Sequence, residues 1–279
     1  MSEKPVSRSR GHALTEIFGQ KSGVLIGVVH LLPLPGAPDY QGGGAQPISD
    51  RGLADADAYA KAGFDGLVVE NHGDIPFAKP QEIGPETAAH MAVAADRIRR
   101  ETGLPIGINV LANAAIHALA IASAAGASFI RVNQWANAYV ANEGLIEGAA
   151  APALRYRSRL RADGIRVFAD THVKHGAHAL VQDRPLEELV RDVEFFNADV
   201  VIATGQRTGH AAELDYIRMV KQATSLPTLV GSGVTPDNAE TILDVVDGVI
   251  VASSLKVGGV WWNQVDPARA RGFVAKLRG

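Results

Sequence analysis

Short apolar runs alternate with amphipathic stretches along most of the 279-residue chain. Eight of these runs are nearly continuous and rich in Val and Ile, which is typical of parallel strands that are covered on both faces. The predicted strands cover residues 24–30, 66–70, 105–111, 128–133, 165–170, 199–204, 227–231 and 248–252.

Helical patterns separate the predicted strands, and glycines mark several of their ends. Gly63, Gly103 and Gly126 each follow an amphipathic stretch, where a left-handed residue commonly closes a helix. Pro185 and Pro236 fit the first turn of a helix, because that turn needs no backbone N–H from its residues. The predicted helices cover residues 49–62, 85–102, 114–125, 186–197, 212–224 and 236–245.

The alternation predicts a single-domain α/β fold, the (β/α)8 TIM barrel, in which eight parallel strands form a closed cylinder inside a ring of helices. A doubly wound open sheet is the alternative, but it usually has a Gly-rich phosphate loop early in the chain, and none follows residues 24–30. We expect a tail and short lead-in helix at 1–22 and the barrel at 23–279. Long βα loops, at 31–48 and 134–151 after the first and fourth strands, would lie over its mouth.

Composition narrows the functional classes. Hydrophobic residues make up 47% of the chain, and the net charge of −3 provides no basic surface for nucleic acid. The absence of cysteine excludes disulfides, thiolate catalysis and Cys-ligated clusters. No apolar run reaches the roughly 18 residues of a membrane span, and the polar first eleven residues resemble a frayed tail more than a signal or transit peptide. We expect a soluble, cytoplasmic protein that forms homo-oligomers.

The segment 166–175 begins as an apolar strand and ends in polar residues. Because side chains alternate along a strand, Asp170, His172 and Lys174 are expected on one face, at the end that opens onto a barrel's active site. We predict that Asp170 and His172 transfer protons. Lys174 would pair with Asp170, polarise a substrate carbonyl or form a Schiff base. Burying such charges is costly unless they are paired, so the cluster indicates chemistry.

Other predicted strands also end in polar residues. His30 ends the first strand and Glu70 the second, and both are predicted to be catalytic. Arg131 would hold a substrate carboxylate or phosphate, or else pair with Glu70. Glu70, Asp170 and His172, together with His30, also offer the oxygen and nitrogen ligands of a divalent cation. The predicted substrate-binding residues are Asn71, Asn109, Arg131, Asn133, Thr204 and Gly205.

Glycines and serines follow the last two predicted strands. In barrels, phosphate commonly binds to the loops after the seventh and eighth strands, where backbone amides approach the anion. Gly231, Ser232 and Gly233 end the seventh strand, and Ser253 and Ser254 follow the eighth. These five residues form the predicted phosphate site, although ordinary turn glycines and helix caps would give the same pattern.

Several longer motifs occur in a fixed order: "GVVHLLPLPGAP", "VVENHGDIPF", "IGPETAAHMA", "GINVLANAAIHALAIA", "FIRVNQW", "DTHVKHGA", "VIATGQRTG", "GSGVTPDN" and "VASSLKVGG". Over residues 24–266 they resemble the BtpA/SgcQ family. The resemblance implies a TIM barrel. It also implies either a role like that of BtpA, which is named for photosystem I biogenesis, or a place in sugar metabolism, as for SgcQ-like members. His72 departs from the pattern, which has an aromatic or small residue there.

We therefore expect an enzyme that acts on a phosphorylated sugar or nucleoside-like small molecule. Its chemistry would be proton transfer, as in isomerisation, epimerisation or retro-aldol cleavage, or else hydrolysis. One alternative is a non-enzymatic assembly or stability factor of the BtpA type. Another is a regulatory protein that binds a ligand without turnover. No cofactor is predicted beyond the divalent metal already considered.

Overall fold

The computed structural model of the chain describes residues 12–173, 176–205 and 213–279. The strands are β1 (Val24–His30), β2 (Gly66–Glu70), β3 (Ile106–Asn109), β4 (Phe129–Val132), β5 (Ala138–Ala141), β6 (Gly144–Glu147), β7 (Arg166–Thr171), β8 (Val200–Thr204), β9 (Thr228–Gly231) and β10 (Gly248–Val251). The helices are α1 (Ala13–Phe18), α2 (Ala45–Ala62), α3 (Pro85–Thr102), α4 (Ala115–Ala125), α5 (Ala150–Arg159), α6 (Leu186–Phe195), α7 (Leu214–Gln222), α8 (Ala239–Leu243) and α9 (Pro267–Arg278). Short 3₁₀ turns lie at Ala179–Val181, Ser253–Leu255 and Val257–Gly259.

Eight of these strands form a closed parallel barrel in the order β1-β10-β9-β8-β7-β4-β3-β2. This confirms the predicted TIM barrel, and the alternative of a doubly wound open sheet is wrong. Strand β4 pairs directly with β7, because β5 and β6 form a separate antiparallel hairpin between them. The long loop at 134–151 therefore contains a hairpin that the sequence pattern did not predict, since four-residue strands are too short to show a clear alternation.

The barrel interior is filled by side chains rather than by a channel, as in other barrels of this kind. The rings of Phe129 and Phe168 stack inside it, with centroids 4.2 Å apart. A Cβ added at Gly107 on β3 would lie 2.1 Å from the Phe129 ring. Glycine at this position therefore makes room for the aromatic filling.

Helix α1 lies at the amino ends of the strands. Its Leu14 is fully buried and belongs to the same interior cluster as Phe129. The edge of Phe18 meets the Phe129 ring, and a Cβ at Gly66, where β2 begins, would lie 2.6 Å from Phe18. Because α1 covers this end of the barrel, a functional site is expected at the opposite end, where the strands finish.

The helix boundaries match the glycine signals better than the proline signals. Gly63, Gly103 and Gly126 follow α2, α3 and α4 with φ values of 94°, 69° and 69°, which confirms them as left-handed helix ends. Pro185 lies one residue before α6 rather than inside its first turn. Pro236 lies in the turn at 236–238 that leads directly into α8, and α8 itself begins at Ala239. Of the helices in the described ranges, none has the length and apolar character needed to cross a bilayer.

Candidate functional site at the barrel mouth

Three polar residues lie side by side where β1, β2 and β3 end. His30 is in register with Glu70, and Glu70 with Asn109, so the three side chains meet at one edge of the barrel. All three are buried. Asn109 Nδ2 donates a hydrogen bond to Glu70 Oε2 (2.8 Å), and His72, two residues after β2, donates from Nδ1 to Glu70 Oε1 (2.9 Å). His30 Nε2 lies 3.9 Å from the same oxygen. We call His30, Glu70 and His72 the open cluster.

Electrostatics keeps the open cluster as a carboxylate beside a neutral imidazole. Burial lowers the pKa of His30 from 6.5 to about 3, and the charges of His72 and Lys256 act in the same direction, against Glu70. Burial alone would raise the pKa of Glu70, but the hydrogen bond and charge of His72, with the charges of His30 and Arg131, hold that pKa below its ordinary value. The cluster therefore presents a charged oxygen and an imidazole lone pair at neutral pH.

Trp261 covers the open cluster. Its ring meets the His72 ring edge-on with centroids 4.5 Å apart, and His72 stacks on His30 at 4.6 Å. The Trp261 carbonyl accepts a hydrogen bond from His30 Nδ1 (3.0 Å). This bond places the proton of a neutral His30 on Nδ1 and leaves Nε2 as the nitrogen that faces Glu70.

A second polar group, at the ends of β4 and β7, has a different character. Arg131 donates two hydrogen bonds to Asp170, from Nε and from an Nη, both at 3.0 Å. Asn133 Nδ2 donates a third to Asp170 (3.0 Å), and all three side chains are buried. We call Arg131, Asn133 and Asp170 the closed cluster. Asp170 raises the pKa of Arg131, although burial opposes this shift.

The closed cluster changes the roles predicted from sequence. Arg131 pairs with Asp170 and not with Glu70, so that alternative was wrong. Asp170 accepts three hydrogen bonds from buried donors, which use most of the acceptor positions of its carboxylate. The carboxylate is held by its neighbours.

The face predicted to carry Asp170, His172 and Lys174 is not formed as expected. Strand β7 ends at Thr171, and His172 has a φ of 52°, which breaks the alternation of the strand. His172 is exposed and stacks on His178, with ring centroids 3.9 Å apart. The prediction for Lys174 lies outside the described residues.

Some of the other predicted substrate-binding residues form side-chain hydrogen bonds within the protein, and others have buried polar atoms without a partner among the described residues. Asn71 was predicted to bind substrate, but it donates to Asp74 (2.9 Å) and to the Leu111 carbonyl (3.2 Å) and accepts from the Leu111 amide (2.7 Å), so it joins two loops. Thr204 lies beside Gly231 in the sheet, and Gly205, which follows, is also buried. The buried side-chain oxygens that have no hydrogen-bond partner in the described chain include those of Asn109, Asn133, Thr171 and Thr204.

The predicted phosphate loops come together beside the open cluster. Ser232 and Gly233 both have positive φ, 74° and 68°, in the turn that follows β9. Asn238 fixes this turn, because its side chain donates to the Gly233 carbonyl (2.9 Å). Ser254 Oγ donates to the Val234 carbonyl (2.7 Å), which ties the loop after β10 to the loop after β9.

These bonds refine the phosphate prediction. The hydroxyl proton of Ser254 is used by the Val234 carbonyl, although Ser254 lines the cavity, so its contact with an anion stays a prediction. Within the described ranges, the backbone amides of Gly233 and Val234 donate no hydrogen bond. An added Cβ at Gly231 would lie 3.2 Å from Ile202 Cγ2 and 3.4 Å from the Arg131 guanidinium, so the position is closely packed beside the closed cluster.

One cavity of about 210 Å³ connects the phosphate loops with the open cluster. Arg131 of the closed cluster reaches its wall, whereas Asp170 and His172 do not line it. The lining residues are Val28, His30, Glu70, His72, Arg131, Ser232, Gly233, Val234, Thr235, Ile250, Ala252, Ser253, Ser254 and Gly259.

Metal-ligating atoms are grouped differently from the sequence prediction. One ligand atom from each of His30, Glu70 and His72 lies within 4.8 Å of the others, a group that contains Glu70 but neither Asp170 nor His172. Sequence reasoning missed His72 and Trp261 as members of the site. The available signal was the departure of His72 from the family pattern, two residues after a strand-end carboxylate.

A fully buried ion pair between Lys256 and Asp55 fixes the segment that leads into Trp261. Lys256 Nζ donates to Asp55 Oδ2 (2.8 Å), and the Val265 amide donates to Asp55 Oδ1 (2.8 Å). Burial lowers the pKa of Lys256, and Asp55 opposes this shift. The pair ties α2 to the segment that leads into Trp261.

Comparison with known proteins identifies the family. The model of the BtpA family matches residues 21–279. An uncharacterized protein of Pyrococcus abyssi is 42% identical, over 91% of this chain and 97% of that protein. The photosystem I biogenesis protein BtpA of Synechocystis is 40% identical, over 91% of this chain and 87% of that protein.

Solved structures share the fold at low identity. The tryptophan synthase α subunit of Legionella pneumophila is 15% identical with a TM-score of 0.59, over 95% of this chain and 96% of that chain. N-(5'-phosphoribosyl)anthranilate isomerase of Pyrococcus furiosus is 15% identical with a TM-score of 0.56, over 92% and 98%. With the family match over nearly the whole barrel, the chain belongs to the BtpA family.

Proposed function

We propose that the protein is an enzyme that acts on a phosphorylated small molecule, a sugar or a nucleoside-like compound, at the carboxyl end of its barrel. The observation that carries this proposal is the cavity that joins the phosphate loops to the open cluster. A substrate bound there would have its phosphate at one wall and its reacting carbons at the other.

The phosphate would bind to the loops after β9 and β10. The amides of Gly233 and Val234 are available as donors in the described chain, and Ser253 lines the same wall. Arg131, although paired with Asp170, also lines this cavity. Backbone amides and a hydroxyl suit a phosphate, because they donate hydrogen bonds without needing a counter-charge of their own.

The reacting part of the substrate would face the open cluster. His72 is hydrogen-bonded to Glu70 and reaches the cavity, so it can exchange a proton with the substrate while the carboxylate stabilises its charged form. His30 would act as a hydrogen-bonding partner in its neutral form. This arrangement fits an isomerase, epimerase, lyase or hydrolase, each of which moves a proton at a carbon or an oxygen.

The likeness to phosphoribosylanthranilate isomerase guides the choice of probes only. That enzyme is named for a phosphorylated substrate, but at 15% identity the likeness concerns the fold. The two loops, and not this likeness, favour a phosphate ligand.

The test is equilibrium binding of inorganic phosphate and of ribose 5-phosphate by calorimetry. Ser253→Asp places a carboxylate at the phosphate wall and is expected to weaken binding of both by about 10-fold or more, because one added like charge at short range costs more than about 1.4 kcal/mol. Ser158→Asp, on the exposed side of α5, adds the same charge elsewhere and should leave binding unchanged. Equal affinity in wild type and Ser253→Asp would count against the site.

A second candidate function is that of an assembly or stability factor. The 40% identity to the photosystem I biogenesis protein BtpA favours it. The two functions separate in a host whose phenotype depends on the gene. His72→Gln should abolish complementation if the protein is an enzyme, and a normal phenotype together with normal protein levels would favour the assembly role.

A further inference from the structure

We propose that His30, Glu70 and His72 bind a divalent transition-metal ion of the zinc type at the mouth of the barrel. The ion would lie between β1 and β2, on the wall of the cavity that faces the phosphate loops.

The distances suit such an ion. His72 Nδ1 lies 2.9 Å from Glu70 Oε1, and His30 Nε2 lies 3.9 Å from the same oxygen. Ligand atoms at about 2.0–2.2 Å from one ion are separated from each other by roughly 3–4 Å. The three side chains therefore need only small rotations to share an ion.

The neighbouring groups orient the ligand atoms. His30 Nδ1 donates to the Trp261 carbonyl, so Nε2 carries the lone pair that faces Glu70. Asn109 Nδ2 donates to Glu70 Oε2, and Oε1 accepts from His72 Nδ1. The ion would take the place of the proton between Oε1 and Nδ1, with the His72 proton moving to Nε2 or to solvent. A metal-binding imidazole usually donates its other N–H to an oxygen, and a metal-binding carboxylate is usually hydrogen-bonded as well.

The charge balance of the mouth also favours a cation here. Arg131 is neutralised by Asp170 and Lys256 by Asp55. In the described part of the chain, the salt-bridge partners of Glu70 are His30 and His72. Within that part of the chain, no Lys or Arg nitrogen lies within salt-bridge distance of its carboxylate oxygens. The charge of Arg131 reaches the Glu70 carboxylate only from a distance, and an ion bound between the three ligands would add a counter-charge in direct contact.

The donor set selects the kind of ion. Two imidazoles and one carboxylate suit zinc, iron or cobalt, whereas Mg²⁺ and Ca²⁺ prefer oxygen ligands. Three protein ligands leave coordination positions open, and the open cluster lines the cavity. In the proposed reaction the ion would polarise a substrate oxygen or activate water, in place of direct proton transfer by His72.

The test uses the metal alone, so it is independent of the phosphate proposal. Tag-free protein, stripped with a chelator, is titrated with Co²⁺ while visible absorption is followed, and with Zn²⁺ by calorimetry. We expect one ion per chain and no displacement by excess Mg²⁺. His72→Gln should weaken Zn²⁺ binding by about 100-fold or more, because loss of an orienting neighbour alone costs 10–100-fold.

Matched variants make the result decisive. His90→Gln on α3, which does not line the cavity, should bind the ion as wild type does. His72 is partly exposed, so His72→Gln is expected to fold, which is checked by its melting temperature. Absence of stoichiometric binding in wild type, or unchanged affinity in folded His72→Gln, would overturn the proposal.

Discussion

The barrel mouth contains two polar clusters that look alike in sequence and differ in structure. In the closed cluster, Asp170 accepts hydrogen bonds from Arg131 and Asn133, and its charge is fully matched. In the open cluster, Glu70 is bonded to His72 and lies beside His30, and all three residues line a cavity. Each cluster is built on neighbouring strand ends, so position in the fold does not distinguish them.

A polar strand end therefore indicates function only when its polar groups remain available to a ligand. The charges of the closed cluster stabilise each other and fix the geometry of β4 and β7. The open cluster combines a carboxylate, imidazole nitrogens and a path to solvent. Availability to a ligand, rather than polarity, is therefore the reason for proposing Glu70 and His72 as the reacting groups.

The largest expected effect comes from neutralising the two carboxylates in metal-free protein. Asp170→Asn leaves the buried Arg131 without its counter-charge and should lower the free energy of unfolding by about 3–5 kcal/mol. Glu70→Gln keeps its shape next to neutral or adaptable partners and should cost only about 1–2 kcal/mol. Urea unfolding measures both, and equal losses would show that the two clusters do not differ as described.

A smaller effect separates the two serines after β10. Ser254→Ala removes the hydrogen bond to the Val234 carbonyl and should lower the free energy of unfolding by about 1 kcal/mol. The Ser253 side chain has no such bond within the described residues, so Ser253→Ala should change stability by less than about 0.5 kcal/mol. A larger loss in Ser253→Ala than in Ser254→Ala would contradict this assignment of a structural and an available hydroxyl.

The smallest effect concerns His172, which lies outside both clusters. Although His172 is exposed, its ring stacks on His178, and the resulting loss of solvation together with the charge of His178 lowers its pKa from the ordinary value of 6.5. The unfolded chain therefore takes up this proton first as the pH falls, so the contribution of His172 to stability is present above about pH 6.5 and is lost below it. An NMR titration should give a His172 midpoint below 6.5 that rises in His178→Gln. A midpoint at or above 6.5 in wild type would contradict the packing at His172.

Much of the fold followed from the sequence because it depends on local pattern. Runs such as 24–30 and 66–70 are short, apolar and rich in β-branched residues, and Gly103 and Gly126 stop helices through their own backbone freedom. The polar strand ends could be placed at one mouth because parallel strands in a barrel share their direction.

The pairing of those polar residues could not be predicted, because it depends on contacts between distant segments. Arg131 meets Asp170 because β4 pairs with β7, which the hairpin between them conceals in the sequence. Trp261 reaches His30 from a turn 231 residues later in the chain. The face expected to carry His172 failed because one left-handed residue ended the alternation.

The most direct test is a crystal structure from crystals grown without phosphate or added metal and then soaked in Zn²⁺ and phosphate. We predict an anomalous zinc peak within about 2.0–2.2 Å of Glu70, His30 Nε2 and His72 Nδ1. We also predict anion density against Gly233 and Ser253. The bonds between Arg131 and Asp170 should be unchanged. A cavity that holds neither ligand, or an anion that separates Arg131 from Asp170, would contradict the division into an open and a closed cluster.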